Sequence, residues 1–233
     1  MQVGDPIRDG WAIYKRFWRH LLPIAFVVSI VVSLVALALA AAGGTIAVLA
    51  SLLVSVVGIF LITASLTEAV ADVRDGRADL TLGATLARAW PRLGTVVVVS
   101  ILAGIAIAVG LVLFIVPGAW LITIWSVAVP AAVLEKTGVF ESFGRSRALV
   151  RGYGWTVFGV IVVTYLVDVV ASIVLGIVLH GLSNGAAHYL GNIISTTLIA
   201  PFVAATWTSM YFRLRDEHAP TPMPAGAAYV DEP

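Results

Sequence analysis

The sequence predicts an all-α polytopic membrane protein, a helical bundle of six transmembrane helices arranged as three hairpins, each preceded by a basic amphipathic interfacial helix. Only 12% of the 233 residues are charged and 60% are hydrophobic, whereas a soluble domain carries about 25% charged residues. Six segments are apolar over most of the length that a bilayer requires, and the basic residues occupy alternate intervals between them. A chain this short cannot hide so much apolar surface in a soluble core, so lipid must cover it.

The six apolar segments match the length of a membrane-crossing helix, which needs about 20 residues. The predicted spans are 21–42, 45–69, 94–116, 118–134, 155–180 and 187–212. Valine runs such as residues 96–99 favour β-structure locally, but transmembrane strands alternate polar and apolar residues over about 10 positions. The segments here stay apolar on every face for longer, and a helix pairs its own backbone groups in lipid. Helices are therefore predicted throughout.

Glycine and proline mark the breaks between and within the spans. Gly43 and Gly44 separate the first two spans, and the pair Pro117 and Gly118 separates the third from the fourth. The fourth span is the shortest and contains Pro130, which predicts a kink or a tilt. The candidate hinges are Pro117, Gly118, Pro130 and Pro201. A re-entrant hairpin made of the third and fourth segments would fit the charges equally well.

The placement of charge predicts the orientation of the spans. All 14 basic residues lie before the first span, between the second and third, between the fourth and fifth, or after the sixth. Because basic residues near span ends favour the cytoplasm, we expect a multi-pass protein of the inner (plasma) membrane with both termini cytoplasmic. The first apolar run exceeds the roughly 7–15 residues of a signal-peptide core, so an uncleaved anchor is expected.

Three segments combine an apolar helical stripe with a basic face: residues 5–20, 80–93 and 138–152. Such helices lie in the headgroup layer with their arginines among lipid phosphates. Each forms, with the two spans that follow, one copy of a parallel repeat, and Asp79 or Thr81 is the expected cap of the second segment. These helices either anchor the spans or bind anionic lipid, the candidate contacts being Arg88, Arg92, Arg145, Arg147 and Arg151. Residues 1–215 thus form one transmembrane domain, and residues 216–233 are expected to be a disordered cytoplasmic tail.

Few polar groups inside the spans are available for chemistry. Asp168 lies near the middle of the fifth span, where a carboxylate costs roughly 2.5–3.5 kcal/mol to insert. It is either a proton- or cation-coupling group lining a polar path, or a neutral acid with one interhelical hydrogen bond. Glu68 and Glu135 end the second and fourth spans, where structural pairing with arginine is expected, for Glu135 with Arg145 or Arg147.

The residue types present predict no enzyme, no metal site and no cofactor. His180 and His188 flank the last outer loop, but zinc needs two further ligands, so solvated histidines are expected. Cysteine is absent, which removes disulfides and thiolate sites. Serine-nucleophile motifs, phosphate-binding glycine loops and paired hydrolase carboxylates are missing. A net charge of +1 provides no basic field for nucleic acid.

One stretch of the chain resembles a known family signature. It consists of Val116-Pro117-Gly118-Ala119-Trp120-Leu121, Trp125, Pro130, Val133-Leu134-Glu135, Gly138-Val139-Phe140-Glu141, Arg145-Ser146-Arg147-Ala148-Leu149-Val150-Arg151-Gly152 and Trp155. These residues are similar to the bacterial and archaeal family named for the membrane domain of glycerophosphoryl diester phosphodiesterase. Pro201 and the segment 211–215 are similar too, although an acidic residue is usual where Arg213 stands. The resemblance implies a six-helix membrane domain. The phosphodiesterase activity is not carried over, because a catalytic phosphodiesterase domain of the barrel type needs about 250 residues and no segment between the predicted spans is that long.

Two functions follow as hypotheses. The first is a non-enzymatic membrane module whose basic face binds anionic lipids, partner membrane proteins or further copies of the chain. The alternative is a small transporter or channel with a polar path near Asp168 and hinges at Pro130 and Pro201. An intramembrane enzyme ranks third, since a second catalytic group is missing.

Overall fold

The computed structural model describes residues 1–179 and 185–218, apart from the side chains of residues 75, 179 and 185–189. Within that part of the chain all regular secondary structure is helical. The helices are α1 (Gly4–Ala41), α2 (Gly44–Asp72), α3 (Leu82–Ala89), α4 (Leu93–Leu113), α5 (Ile115–Ile124), α6 (Ala128–Leu134), α7 (Val139–Val150), α8 (Gly154–Leu179) and α9 (Gly185–Glu217). Short 3₁₀ turns follow α2 and α3.

Six helical segments are long and apolar enough to cross a membrane. They are Gly4–Ala41, Gly44–Asp72, Leu82–Leu113, Ile115–Leu134, Gly154–Val178 and Leu190–Glu217. The all-helical class is therefore confirmed, and the six helices of membrane-spanning length and composition indicate a multi-pass membrane protein. The predicted histidine-flanked loop lies largely outside the described residues, as does the predicted tail beyond residue 218.

The first basic segment is not a separate helix, and the second runs directly into the span that follows it. Residues 5–20 and the span that follows form the single helix α1, which departs from helical φ and ψ only at Phe17. Pro23, inside α1, lacks the N–H that would bond to the carbonyl of Arg19. The second segment begins at Thr81, whose hydroxyl accepts the N–H of Ala84 at 3.3 Å, and passes through a 3₁₀ turn straight into α4.

The turn between α4 and α5 lies at Phe114, three residues before the predicted break at Pro117 and Gly118. Phe114 has extended backbone angles (φ −157°, ψ 133°). Pro117 instead occupies the first turn of α5, where its missing N–H has no intrahelical partner to lose. At Gly118 the two helices touch: a Cβ there would lie 2.7 Å from the backbone nitrogen of Leu111.

The fourth predicted span, 118–134, is two helices rather than one. Helix α5 ends at Ile124 and α6 begins at Ala128, with Trp125 and Val127 outside helical geometry. The break lies one turn before Pro130, whose ring crowds the carbonyl of the residue four positions earlier. Helix α9, in contrast, contains Pro201 without interruption and extends to Glu217, beyond the predicted ends at residues 212 and 215.

The packed core joins the helices near their basic ends. Buried residues of α1, α2 and α9 form one cluster, which includes Leu21, Leu66 and Ala205. At Gly10 the backbones of α1 and α9 meet so closely that a Cβ would lie 2.8 Å from the Cα of Thr206. A second cluster joins α6, α7, α8 and α9 around Leu149 and Tyr211, so α9 is common to both.

Candidate functional site

Ion pairs bring the start of α1 and the ends of α2 and α9 together. The Arg213 Nε atom donates to Asp9 Oδ2 at 2.6 Å, and an Nη atom of Arg213 lies 3.7 Å from Asp5. The Arg74 guanidinium donates to Asp216 at 2.6 Å. These contacts link residues far apart in sequence and place three predicted cytoplasmic segments at the same end of the bundle.

A cleft of about 290 Å³ opens among these three helix ends. Its charged lining consists of Arg16, Arg74, Arg213 and Asp9. The remaining walls are mostly apolar, and the ring of Phe212 lies 4.1 Å from the guanidinium carbon of Arg74. Guanidinium groups facing apolar walls are suited to an amphipathic anion, since arginine recognises phosphate and carboxylate by paired hydrogen bonds.

Glu135, at the end of α6, is the centre of a second polar cluster. Both of its oxygens accept the Arg145 Nε–H at 2.8 Å. The Tyr211 hydroxyl donates to Oε1 at 2.7 Å, and the side chain of Tyr211 is fully buried. The carboxylate therefore connects α6, α7 and α9.

Helix α7 is attached to the break between α5 and α6 by one buried serine. The Ser146 hydroxyl donates to the carbonyl of Ile124 at 2.8 Å and accepts the N–H of Val127 at 3.2 Å. The ring of Phe143 packs on Trp125, with centroids 4.8 Å apart. Two backbone groups freed by the break are thus satisfied by α7.

The five predicted lipid contacts do not form one cluster. Arg145 is engaged with Glu135, whereas the Arg147 guanidinium lies 5.9 Å from the ring centre of Trp120 on α5. Arg88 and Arg151 are exposed, and Arg92 is half-buried.

Glu68 forms none of the ion pairs found within 4 Å among the described residues, although the positive charges of Arg88, Lys136 and Arg92 act on it.

Asp168 lies on the stripe of α8 that faces the protein. The buried residues Val157, Val160 and Thr164 precede it at helical spacing, and Asp168 itself is half-buried. One turn before it, the buried Thr164 hydroxyl has no hydrogen-bond partner within the described part of the chain. The two side chains provide a small polar patch on this stripe of the span.

The start of α8 is attached to the end of α9 through Tyr153. Its hydroxyl donates to Glu217 Oε2 at 2.8 Å, and its ring packs edge-on against His218. This hydrogen bond to a carboxylate raises the pKa of Tyr153, because the phenolate would lose the donated proton and face a negative charge.

The comparisons with known proteins add no relative. No family model, no curated protein and no solved structure matches the chain. Among the described residues no three histidine, aspartate or glutamate side chains group as a metal site would require.

Sequence reasoning missed the cleft, since its arginines come from three distant segments. The signal that could have found it is the carboxylate pair Asp5 and Asp9 in an otherwise basic helix.

Proposed function

We propose that the chain is a non-enzymatic membrane module that binds anionic lipids through its basic end, which faces the cytoplasm of the inner membrane. In this proposal the spans pair as three hairpins, α1 with α2, α4 with the α5–α6 pair, and α8 with α9, and the amphipathic segments lie in the headgroup layer. The family resemblance likewise implies a six-helix membrane domain. Partner membrane proteins or further copies of the chain are the other ligands that this end would fit.

One observation carries the proposal: the ion pairs gather α1, α2 and α9 at a single end, and arginines remain exposed there. Arg88, Arg147 and Arg151 are open to the surroundings. An exposed arginine next to an anionic membrane surface contributes about 1 kcal/mol. Several such residues at one end give a surface that favours anionic lipid.

The test is lipid retention by an arginine-depleted variant. Arg88, Arg92, Arg147 and Arg151 are changed to Gln, and co-purified lipid is measured after reconstitution with phosphatidylglycerol and phosphatidylcholine. Arg145 is left intact because it holds Glu135. We expect the variant to lose its enrichment in phosphatidylglycerol, whereas lysine at the same four positions preserves it. Unchanged enrichment in the Gln variant would contradict the proposal.

The orientation is tested by labelling single cysteines, which the cysteine-free chain makes simple. Cysteines replacing the exposed residues Thr45 and Ala87 are treated with a membrane-impermeant maleimide in intact cells and in inverted vesicles. We expect Thr45→Cys to react in cells and Ala87→Cys to react only in inverted vesicles. Labelling of both from the same side would exclude the proposed topology.

A second function, a small transporter or channel, is favoured by the polar patch at Asp168. A half-buried carboxylate near an unpartnered buried hydroxyl is the arrangement in which a proton or cation would find ligands within a span. The test compares proton and cation flux through proteoliposomes holding the wild type or Asp168→Asn. Transport predicts flux that the substitution abolishes, and equal flux in both proteins would exclude this role for Asp168.

A further inference from the structure

We propose that the cleft between the ends of α1, α2 and α9 is a selective site for a phosphate group, carried by a phospholipid headgroup or by a soluble phosphate ester. The inference deepens the proposed function, on which it rests, because it needs the basic end of the bundle to face headgroups. It assigns selectivity to Arg16, Arg74 and Arg213, which are distinct from the exposed arginines considered above.

Charge is the first argument for an anionic ligand. The lining holds three guanidinium groups and one carboxylate, that of Asp9, and Asp5, which is not a lining residue, lies 3.7 Å from Arg213. Arg213 is committed to Asp9 and Arg74 to Asp216. Arg16 forms no ion pair with any described residue and contacts the ring of Phe17, with 5.3 Å between the guanidinium carbon and the ring centre. Its donors are therefore available to a ligand.

The backbone around Arg16 is arranged so that its side chain can reach the cleft. Phe17, the next residue, is the point where α1 leaves helical geometry (φ −115°, ψ 19°). Gly76, in the turn after α2, has φ +90°, and a Cβ built there would lie 3.6 Å from an Nη atom of Arg16, which is an ordinary contact distance. The Arg16 guanidinium thus lies against the turn after α2, and it lines the same cleft as the paired Arg74.

Size and wall chemistry indicate what the phosphate would be attached to. A volume of about 290 Å³ is at the lower end of the range for small-molecule sites, roughly 300–1,000 Å³. It would hold a headgroup with part of its glycerol unit, whereas acyl chains would stay outside. The ring of Phe212 and the apolar side chains of Ile13 and Val70 line the same cleft, and they would contact the carbon atoms of such a ligand.

The experiment measures binding of phosphatidylglycerol to the full chain in detergent by native mass spectrometry, with phosphatidylcholine for comparison. The variants are Arg16→Gln and Arg16→Lys, and the matched control is Arg19→Gln, an exposed arginine of the same helix that does not line the cleft. Thermal unfolding of each variant verifies that the fold is retained. We expect Arg16→Gln to weaken phosphatidylglycerol binding about tenfold, the loss of a charge-assisted pair of hydrogen bonds. Arg16→Lys should lose less phosphatidylglycerol binding than Arg16→Gln, and Arg19→Gln should bind this lipid as the wild type does.

Two further arms separate the sources of phosphate and the two proposals. Displacement of bound lipid by millimolar glycerol 3-phosphate or inorganic phosphate would identify a soluble phosphate ester as ligand, and resistance to both would identify the lipid. If the variant with Arg88, Arg92, Arg147 and Arg151 changed to Gln loses lipid but Arg16→Gln does not, the proposed function stands and the cleft assignment is overturned. If only Arg16→Gln loses lipid, the cleft assignment stands and the exposed arginines are not the contacts. Equal binding by wild type and both Gln variants overturns both.

Discussion

The half of the bundle near the basic end differs sharply from the opposite half. Near the basic end α1, α2 and α9 bury large side chains completely, including Leu21, Leu66 and Tyr211. Toward the other end the same helices and their neighbours expose theirs: Leu53 on α2 is 65% exposed, and Val112 on α4 is 86% exposed. Beyond Thr164, no side chain of α8 up to Val178 is fully buried.

The contrast shows where the cohesion of the fold resides. In lipid, apolar side chains gain little by leaving hydrocarbon for a protein interior, so helix association depends on close packing and polar contacts. The polar contacts between helices lie near the basic end, in the hydrogen bonds of Ser146 and Glu135, and close packing joins α1 to α9 there at Gly10 and Thr206. In the opposite half α4 and α5 also touch at Gly118, but most of the surface is apolar and can be covered by lipid. Substitutions should therefore be costly in one half and tolerated in the other.

The largest effect is expected for Gly10→Ala. Alanine in place of glycine normally stabilises a helix by about 1 kcal/mol, but here the new Cβ would meet backbone atoms of Thr206 at 2.8 Å. Because backbone cannot rotate away, α1 and α9 must separate, with a loss at or above the usual range of about 1–3 kcal/mol for overpacking. The measurement is the melting temperature in detergent, followed by tryptophan fluorescence.

The matched control for this prediction lies in the opposite half. A Cβ added at Gly104 on α4 would meet no other atom within 4 Å, so Gly104→Ala should leave the melting temperature unchanged or raise it. If the two alanine variants melt alike, the contact between α1 and α9 does not hold the fold together, and the contrast between the halves fails.

A smaller loss is expected for Ser146→Ala. The substitution leaves the carbonyl of Ile124 and the N–H of Val127 without their partner, at a cost of about 1–3 kcal/mol for a buried group. The comparison is Ser51→Ala in the exposed half, where the hydroxyl only adds a bond to the carbonyl of Val48 within its own helix. A fall in melting temperature for Ser146→Ala, with none for Ser51→Ala, is the expected result. Equal melting temperatures would mean that α7 is held by its apolar contacts alone.

The number of spans could be predicted from sequence because length and hydropathy are local properties. The cap at Thr81 could also be predicted, since its hydroxyl acts on an N–H three residues away. The turn between α4 and α5 could not, because residues 111–118 are apolar throughout and the pair Pro117 and Gly118 imitates a turn. Proline is tolerated in the first turn of a helix, and the chain uses it there.

The candidate sites divide in the same way. The identity of Glu135 as a paired carboxylate followed from its position at the end of a span, but the choice of Arg145 over Arg147 depends on how α7 crosses α6. The cleft was beyond sequence reasoning, because the pairs Arg213 with Asp9 and Arg74 with Asp216 join residues 204 and 142 positions apart. Composition shows that such charges exist, and only the packing of α9 against α1 and α2 shows which of them meet.

The smallest effect is expected for Thr208→Val, which tests whether water is bound inside the half of the bundle near the basic end. The Thr208 hydroxyl is fully buried on α9 and has no hydrogen-bond partner among the described residues. Valine has nearly the same shape, so removing an unsatisfied hydroxyl should raise stability by about 0–1 kcal/mol. Thr206→Val is the comparison, because the Thr206 hydroxyl donates to the carbonyl of Phe202 at 3.0 Å. This variant should lose a little stability. A clear fall in melting temperature for Thr208→Val would show that the hydroxyl binds water. The half near the basic end would then contain solvent, contrary to the tight packing on which the comparison of the two halves depends.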